Sequence, residues 1–96
     1  MKVEFHPNAI SELNAAVDYY EERSYGLGIA FLTEIQTGIE IIKEYPESWQ
    51  KISLSTRRFL IKQFPYGIIY MVHEEVLYII AVMHLNRKPG YWKKRK

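Results

Sequence analysis

The stretch GIIYMVHEEVLYIIAVMHL, residues 67–85, decides the fold class. It consists of two apolar runs, 67–73 and 76–85, separated by the acidic pair Glu74-Glu75. Runs of this length that are rich in β-branched and aromatic residues predict strands, and the two residues between them predict a hairpin with a tight turn. The second run is the most apolar of the chain, so we expect it to lie in the interior of a sheet.

The sequence on either side extends this sheet. Residues 57–64 (RRFLIKQF) predict a third strand, connected to the hairpin by Pro65 and Tyr66, so that three consecutive strands form an antiparallel meander. Residues 47–56 (ESWQKISLST) predict a loop that Trp49 pins to the body of the protein. Residues 2–6 (KVEFH) alternate apolar and polar side chains, which predicts a short strand at an edge of the sheet.

Two helices are predicted between the first strand and the loop. Each carries apolar side chains three and four positions apart, namely Ile10, Leu13, Val17 and Tyr20 in the first and Phe31, Leu32, Ile35, Ile39 and Ile42 in the second. Pro7 suits the first turn, with Asn8 or Ser11 as the N-cap. The remaining positions of the first helix predict a solvated acidic face, formed by Glu12, Asp18, Glu21 and Glu22.

These elements predict an α+β fold for residues 1–96, taken as a single domain. The order is β-α-α-β-β-β, in which the helical hairpin covers one face of an antiparallel sheet. Gly26 and Gly28 form the turn between the helices. The other face of the sheet is left for solvent and for partners.

The two halves of the chain carry opposite charge. Residues 1–50 hold three basic and nine acidic side chains, whereas residues 51–96 hold ten basic side chains and only two acidic ones. Part of the basic excess comes from Lys93-Lys94-Arg95-Lys96, which would be a solvated tail, but the second half stays basic without it. Such asymmetry indicates a surface that meets a polyanion or an acidic partner.

Several classes of chemistry lack support in the sequence. The chain has no cysteine, no glycine-rich phosphate loop and no metal-binding motif, so we expect neither a metal nor an organic cofactor. No apolar run is long enough to span a bilayer, and the N-terminal stretch MKVEFHPNAI lacks the long apolar run of a signal peptide. We therefore expect a cytoplasmic protein that does not engage a membrane.

A set of short motifs resembles the RelE/ParE family of bacterial toxins, and its ParE-like branch in particular. In the second half these motifs are Phe64-Pro65-Tyr66, then Ala81-Val82-Met83-His84, then the stretch Arg87-Lys88-Pro89-Gly90-Tyr91-Trp92. In the first half they are Tyr19-Tyr20-Glu21, Gly26-Leu27-Gly28 and Phe31-Leu32. The resemblance covers nearly the whole chain in the order that the family shows.

The resemblance implies the toxin of a type II toxin–antitoxin system, in which a cognate antitoxin neutralises the toxin by forming a hetero-oligomer with it. Members of the RelE-like branch cleave mRNA in the ribosomal A site, while the ParE-like branch is described as inhibiting DNA gyrase. The resemblance also implies growth inhibition and a role in plasmid stabilisation. The fold alone does not choose between these activities.

Only part of the RelE-type nuclease site is matched. Arg58 and Tyr91 stand where the resemblance places a basic residue and a C-terminal tyrosine. Leu60, Gly67 and Leu85 stand where it places further cations. Cleavage at a 2′-hydroxyl needs cations around the scissile phosphate, so the loss of most of them argues against this chemistry.

The candidate functional cluster comprises Arg58, His84, Arg87 and Tyr91. In a regular strand His84 would share a face with Val82, Ile80 and Tyr78, and there it could act as a general base. The alternative is that His84 forms local hydrogen bonds and fixes the turn that follows it.

Four further residues are candidates for binding the target or the antitoxin: Arg57, Lys62, Tyr66 and Trp92. Strand alternation would place Arg58 and Lys62 on one face and Arg57 on the other. The cations could instead belong to an ordinary solvated face, and the two aromatic residues could be packing anchors.

Three functions stay open at this point. The first is a ParE-like toxin that poisons a target by binding it. The second is an mRNA interferase, which would be an enzyme. The third is a protein that has lost toxicity and only binds its antitoxin.

Overall fold

The computed structural model describes residues 1–95. Its strands are β1 (Lys2–Phe5), β2 (Gln50–Lys51), β3 (Arg57–Leu60), β4 (Tyr66–His73) and β5 (Val76–His84). Its helices are α1 (Pro7–Arg23) and α2 (Leu27–Glu44), and a 3₁₀ turn spans Lys93–Arg95. The strands form one five-stranded sheet in the order β1-β5-β4-β3-β2, and the helical hairpin covers one face of it, as predicted.

The sheet is mixed, which corrects the antiparallel prediction. β3, β4 and β5 form the expected antiparallel meander, but β1 pairs with β5 in parallel. The chain returns from β1 through two helices and the meander, and this path brings β5 back in the same direction as β1. A second difference is β2, where Gln50 and Lys51 pair with β3 inside the predicted loop. Two residues are too few to show the period-2 pattern of a strand.

The hairpin between β4 and β5 is confirmed. Glu74 and Glu75 both have positive φ angles, 49° and 66°. A two-residue turn with both residues in this region matches the right-handed twist of the flanking strands. β5 lies between β1 and β4, so the most apolar strand is an interior one.

A β-bulge interrupts this pairing near the middle of β5. Tyr70 pairs with Ile79 and Ile69 with Ala81, which leaves Ile80 without a partner on β4. Ile79 and Val82 face the helices, whereas Ile80 and Ala81 both face away from them.

The bulge changes the predicted surroundings of His84. His84 pairs with Tyr66, which packs against the helix-side core, so His84 shares a face with Val82 as predicted. Ile80 and Tyr78 lie on the opposite face, contrary to the prediction for a regular strand. An extra residue in one strand reverses the alternation beyond it, and no simple sequence signal marks it here.

The sheet has a core on both faces. The helix-side core includes Phe31, Ile35, Ile39 and Ile42 of α2, which confirms the second helical stripe, although Leu32 is only half-buried. In α1 the stripe is confirmed for Leu13, Val17 and Tyr20. Ile10 is exposed instead, because Ala9 takes the buried position in the first turn.

We use the term open face for the sheet face that turns away from the helices. It bears Ile69, Ile80, Ala81 and Met83, and Trp92 of the C-terminal segment packs on these side chains. The segment that follows β5 therefore covers part of the open face. Trp49 packs edge-on against Phe59 at a centroid distance of 4.7 Å, which is the anchoring role predicted for it.

The helix caps differ from the prediction. His6, and neither Asn8 nor Ser11, is the N-cap of α1, since its Nδ1 accepts a hydrogen bond of 3.0 Å from the Asn8 backbone N–H. Glu21 is not merely solvated, because its carboxylate accepts bonds of 2.9 Å from the backbone N–H groups of Gly26 and Gly28. It thereby caps the first turn of α2.

The buried hydroxyl of Tyr70 should make the stability of the protein fall at alkaline pH. This hydroxyl donates a 2.7 Å hydrogen bond to the Pro46 carbonyl, and burial raises the pKa of Tyr70 to about 12 from an ordinary 10.0. Because the pKa of Tyr70 is higher in the folded state than in the unfolded state, the side chain stabilises the fold. This stabilisation is complete at pH values below the unfolded-state pKa. This stabilisation is lost as the pH rises through the folded-state pKa.

We expect Tyr70→Phe to have a shallower alkaline decline in the free energy of unfolding than the parent chain. Loss of the hydrogen bond to Pro46 lowers stability at neutral pH by about 1 kcal/mol. Urea unfolding at a series of pH values from neutral to about 12 measures both effects. Tyr25→Phe is the control, because Tyr25 is 99% exposed; an unchanged alkaline slope in Tyr70→Phe would contradict the assignment.

Candidate functional site

The C-terminal segment, residues 85–95, begins with a turn that His84 stabilises. The Nδ1 atom of His84 accepts a 3.0 Å hydrogen bond from the Asn86 backbone N–H, and its carbonyl accepts one of 3.0 Å from the Arg87 N–H. The local role for His84 is therefore present. An imidazole whose Nδ1 accepts this bond carries its proton on Nε2.

A single carboxylate, that of Glu12 on α1, holds the rest of this segment in place. Its Oε2 atom accepts hydrogen bonds from the Tyr91 hydroxyl at 2.8 Å, from Arg95 Nη2 at 3.0 Å and from Arg87 Nη1 at 3.3 Å. Its Oε1 atom accepts from Arg95 Nη1 at 2.9 Å and from the Val82 backbone N–H at 3.0 Å. We call Glu12, Arg87, Tyr91 and Arg95 the Glu12 cluster.

The cluster completes an unpaired edge of β5. β1 ends at Phe5, and the last backbone bond from its side is donated by His6 to the Ile79 carbonyl. Beyond that point the Val82 N–H is bonded by Glu12, and the Ile80 carbonyl accepts a 3.2 Å bond from Arg95. Buried backbone groups need hydrogen-bond partners. Here Glu12 and Arg95 form the hydrogen bonds to β5 that a longer β1 would have formed.

Glu12 and Arg95 are largely screened from water, whereas Arg87 is half-exposed. The side chains of Glu12 and Arg95 are only 14% and 13% exposed. The hydrogen bonds to Glu12 raise the pKa of Arg95, so the guanidinium stays protonated. Burial, followed by the bond donated to Glu12, raises the pKa of Tyr91 well above its usual range. The Arg87 guanidinium also lies over the Tyr91 ring, at 3.7 Å from its centroid.

Two predictions about these residues were wrong. Glu12 does not belong to a solvated acidic face, and Arg95 does not belong to a solvated tail. The sequence places Ala9 three residues before Glu12 and Ala16 four residues after it, and the structure shows that both alanines are buried. Helical spacing therefore turns Glu12 towards the sheet.

The other predicted cations lie away from the Glu12 cluster. Arg57 Nη1 donates a 2.8 Å bond to the Trp49 carbonyl, and Arg58 Nη2 donates a 3.0 Å bond to Gln50 Oε1. Lys62 does not share a strand with Arg58, because β3 ends at Leu60 and Lys62 lies exposed in the following turn. The side chains of Ile61 and Phe64 enter the core and pull this turn away from the strand direction.

The structure also shows why a second cation beside Arg58 is absent. Gly67 lies across from Leu60 on the neighbouring strand. A Cβ atom at Gly67 would meet the Arg58 Cγ at 3.1 Å, so the stem of Arg58 fills the space that a side chain at position 67 would need. An arginine at position 67 would displace the Arg58 side chain, which packs against Gly67.

The two aromatic candidates are packed. Tyr66 is half-buried and contacts Phe31 and His84 with its ring, at centroid distances of 4.8 and 5.0 Å. Burial raises the pKa of Tyr66. Trp92 is 3% exposed and anchors the C-terminal segment. The structure thus brings together Arg87 and Tyr91, leaves Arg58 on β3, and places His84 on the opposite face of the sheet from Arg58.

The described residues hold no group of three or more histidine, cysteine or acidic side chains that could bind a metal ion. Neither helix within residues 1–95 has the length and apolar character that a bilayer crossing requires.

Comparison with known proteins gives the family. Residues 3–89 match the family model described as the ParE toxin of the type II toxin–antitoxin system parDE. This chain belongs to the ParE toxin family. The expected resemblance to RelE/ParE toxins is therefore confirmed, and with it the assignment to the toxins of type II toxin–antitoxin systems.

One solved structure similar to this ParE-family chain is described as the chromosomal ParDE TA system from P. aeruginosa. The two chains share 15% sequence identity and superpose with a TM-score of 0.64 over 90% of this chain and 97% of the other. At this identity the likeness shows a common fold. No curated protein sequence matches the chain significantly.

Proposed function

We propose that this ParE-family toxin arrests growth by binding an essential target, and that DNA gyrase is that target. A cognate antitoxin would neutralise it by forming a complex with it, and such a target would place the toxin in the cytoplasm. The observation that carries the proposal is the Glu12 cluster, in which Tyr91, one of the two residues matched to the nuclease site, is bonded to Glu12 instead.

The cluster leaves Tyr91 unsuited to acid–base catalysis. A general acid must deliver its proton to the leaving oxygen, and its pKa must lie near the working pH. The Tyr91 proton is directed at Glu12, and burial raises the pKa of Tyr91. Arg95 is buried against the same carboxylate and is not free to contact a phosphate, whereas Arg87 contacts it with one bond of 3.3 Å and stays half-exposed.

The separation of Arg58 and His84 also argues against the interferase alternative. Arg58 pairs with Ile69 and lies on the open face, whereas His84 pairs with Tyr66 on the helix side. A general base and a phosphate-binding cation must both lie within hydrogen-bond reach of one substrate. A sheet between them prevents this for Arg58 and His84.

Biochemical assays with the purified chain distinguish the candidate functions. We expect inhibition of DNA supercoiling by purified gyrase and no cleavage of mRNA on programmed ribosomes. Growth arrest on induction, relieved by coexpression of the adjacent antitoxin gene, would exclude a protein that has lost toxicity. Cuts at the ribosomal A site would overturn the proposal, and uninhibited gyrase would remove gyrase as the target.

Tyr91→Phe tests the mechanism inside the cell. The variant keeps the ring and loses only the hydroxyl that donates to Glu12, so it lowers stability by about 1 kcal/mol. We expect the induction level that arrests growth to stay within about twofold, because a binding surface does not need the phenolic proton. If Tyr91 were a general acid, activity would fall by about 100-fold or more, which would contradict the proposal. Tyr25→Phe is the matched control on an exposed tyrosine.

A further inference from the structure

A small cleft lies on the open face between β3 and the C-terminal segment. Its walls include Arg58, Ile69, Met83, Pro89, Trp92 and Lys93, and its volume is about 150 Å³. We call it the Arg58 cleft. It lies apart from the Glu12 cluster, none of whose residues line it.

Two of the residues that line the cleft have hydrogen-bond donors without a partner. Trp92 is 97% buried, and neither its indole Nε1–H nor the buried Arg58 Nε–H has an acceptor among residues 1–95. A buried donor that lacks an acceptor typically costs 1–3 kcal/mol. Two such donors at one small cleft are therefore explained if an acceptor from another molecule enters it.

A third donor comes from the turn that closes the cleft. Gly90 has a φ angle of 89°, a conformation that favours glycine. The Lys93 side chain runs over it, and a Cβ atom at position 90 would meet the Lys93 Cε at 3.1 Å. No acidic side chain in the described part of the chain forms a salt bridge with Lys93, which is exposed. The ammonium group is available to a ligand.

These features define the ligand as small and negatively charged. We propose that the Arg58 cleft binds the carboxylate of an aspartate or glutamate side chain from an acidic segment of a partner protein. Both donor atoms are buried in the chain alone, so the lining side chains would move aside as the carboxylate enters, accepts hydrogen bonds from Arg58 Nε and Trp92 Nε1 and pairs with Lys93. This inference rests on the proposed function, since a toxin that acts through binding must offer such contact points to a protein partner.

Size and wall chemistry favour a protein carboxylate over a nucleic acid. A cavity of about 150 Å³ accepts a molecule of the size of benzene, which matches the end of one side chain and leaves no room for a nucleoside. The apolar wall is formed by aliphatic side chains such as Ile69 and Met83. Trp92, the aromatic residue of the wall, is buried and offers no exposed ring on which a base could stack.

The indole N–H signals of the two tryptophans provide a direct test. Trp49 Nε1 is also buried without a partner but does not line the cleft, so it serves as an internal control. The ¹⁵N-labelled full chain is titrated with a terminally blocked Ala-Glu-Ala peptide, with Ala-Gln-Ala and with a single-stranded oligonucleotide. We expect Ala-Glu-Ala alone to shift the Trp92 signal saturably and to leave the Trp49 signal in place.

Charge-matched variants identify the groups that bind. Arg58→Gln should weaken Ala-Glu-Ala binding by about tenfold or more, as expected for a charge-assisted hydrogen bond, whereas Lys62→Gln should leave it unchanged. Should Arg58→Gln fail to fold, exposed Lys93 provides the second variant. Lys93→Gln should weaken binding by about threefold, a surface-pair effect, while Lys94→Gln should not.

The outcomes separate this inference from the proposed function. A Trp92 shift with the oligonucleotide and none with Ala-Glu-Ala would overturn the carboxylate assignment in favour of a phosphate ligand. No saturable shift with any probe would overturn the site altogether. The titration needs neither gyrase nor growth arrest. If the chain binds Ala-Glu-Ala without inhibiting gyrase, only the proposed target is overturned. If it inhibits gyrase without binding Ala-Glu-Ala, only the proposed ligand of the Arg58 cleft is overturned.

Discussion

Glu12→Ala is expected to lower the free energy of unfolding by about 3 kcal/mol or more, because removal of one partner of a buried ion pair strands the other. In this variant Arg95 loses two short bonds and Tyr91 loses its acceptor. The Val82 N–H loses its partner as well. The C-terminal segment should then detach from α1 before the rest of the molecule unfolds.

Urea unfolding, followed by far-UV circular dichroism, measures this loss. Glu22→Ala is the matched control on the same helix, since Glu22 is exposed and has no ion pair within residues 1–95. A double-mutant cycle with Arg95→Met isolates the coupling between Glu12 and Arg95. A loss in Glu12→Ala no larger than in the Glu22 control would show that the cluster does not hold the segment.

Trp92→Ala is expected to be the most damaging substitution on the open face. Truncation of a buried aromatic side chain typically costs 3–5 kcal/mol, and Trp92 is the large residue that covers Ile69, Ile80 and Met83. Its removal exposes an apolar sheet surface, so we also expect the variant to self-associate.

Urea unfolding and light scattering report the two effects of Trp92→Ala separately. Trp49→Ala serves as the comparison, because Trp49 is only half-buried against Phe59 and should cost less. Equal unfolding midpoints for the two variants would contradict the anchoring role of Trp92.

Most of the fold could be predicted from patterns that are local in the sequence. The β4–β5 hairpin follows from two apolar runs around Glu74 and Glu75, and the second helix follows from isoleucines at helical spacing. The family could be predicted as well, because its motifs are short and lie in order along the chain. Propensity and periodicity are properties of neighbouring residues, so a single sequence is enough to show them.

The site could be predicted only in part, because its contacts connect distant residues. Arg87 and Tyr91 were candidates, but Glu12 lies 79 positions before the tyrosine to which it is bonded, and no local pattern links them. The bulge at Ile80 depends on the register between two strands, and the parallel pairing of β1 depends on the whole path of the chain. A prediction that assumed regular alternation therefore placed His84 beside the wrong neighbours.

The parallel pairing of β1 with β5 has a consequence for synthesis. The ribosome makes β1 and α1 well before it makes β5 and Arg95, their partners in the sheet and in the Glu12 cluster. At about 5–20 residues per second, the 83 positions between Glu12 and Arg95 correspond to roughly 4–17 seconds. During this interval the nascent chain lacks the contacts that β5 and the C-terminal segment provide, so we expect the fold to be completed only after Arg95 has been translated.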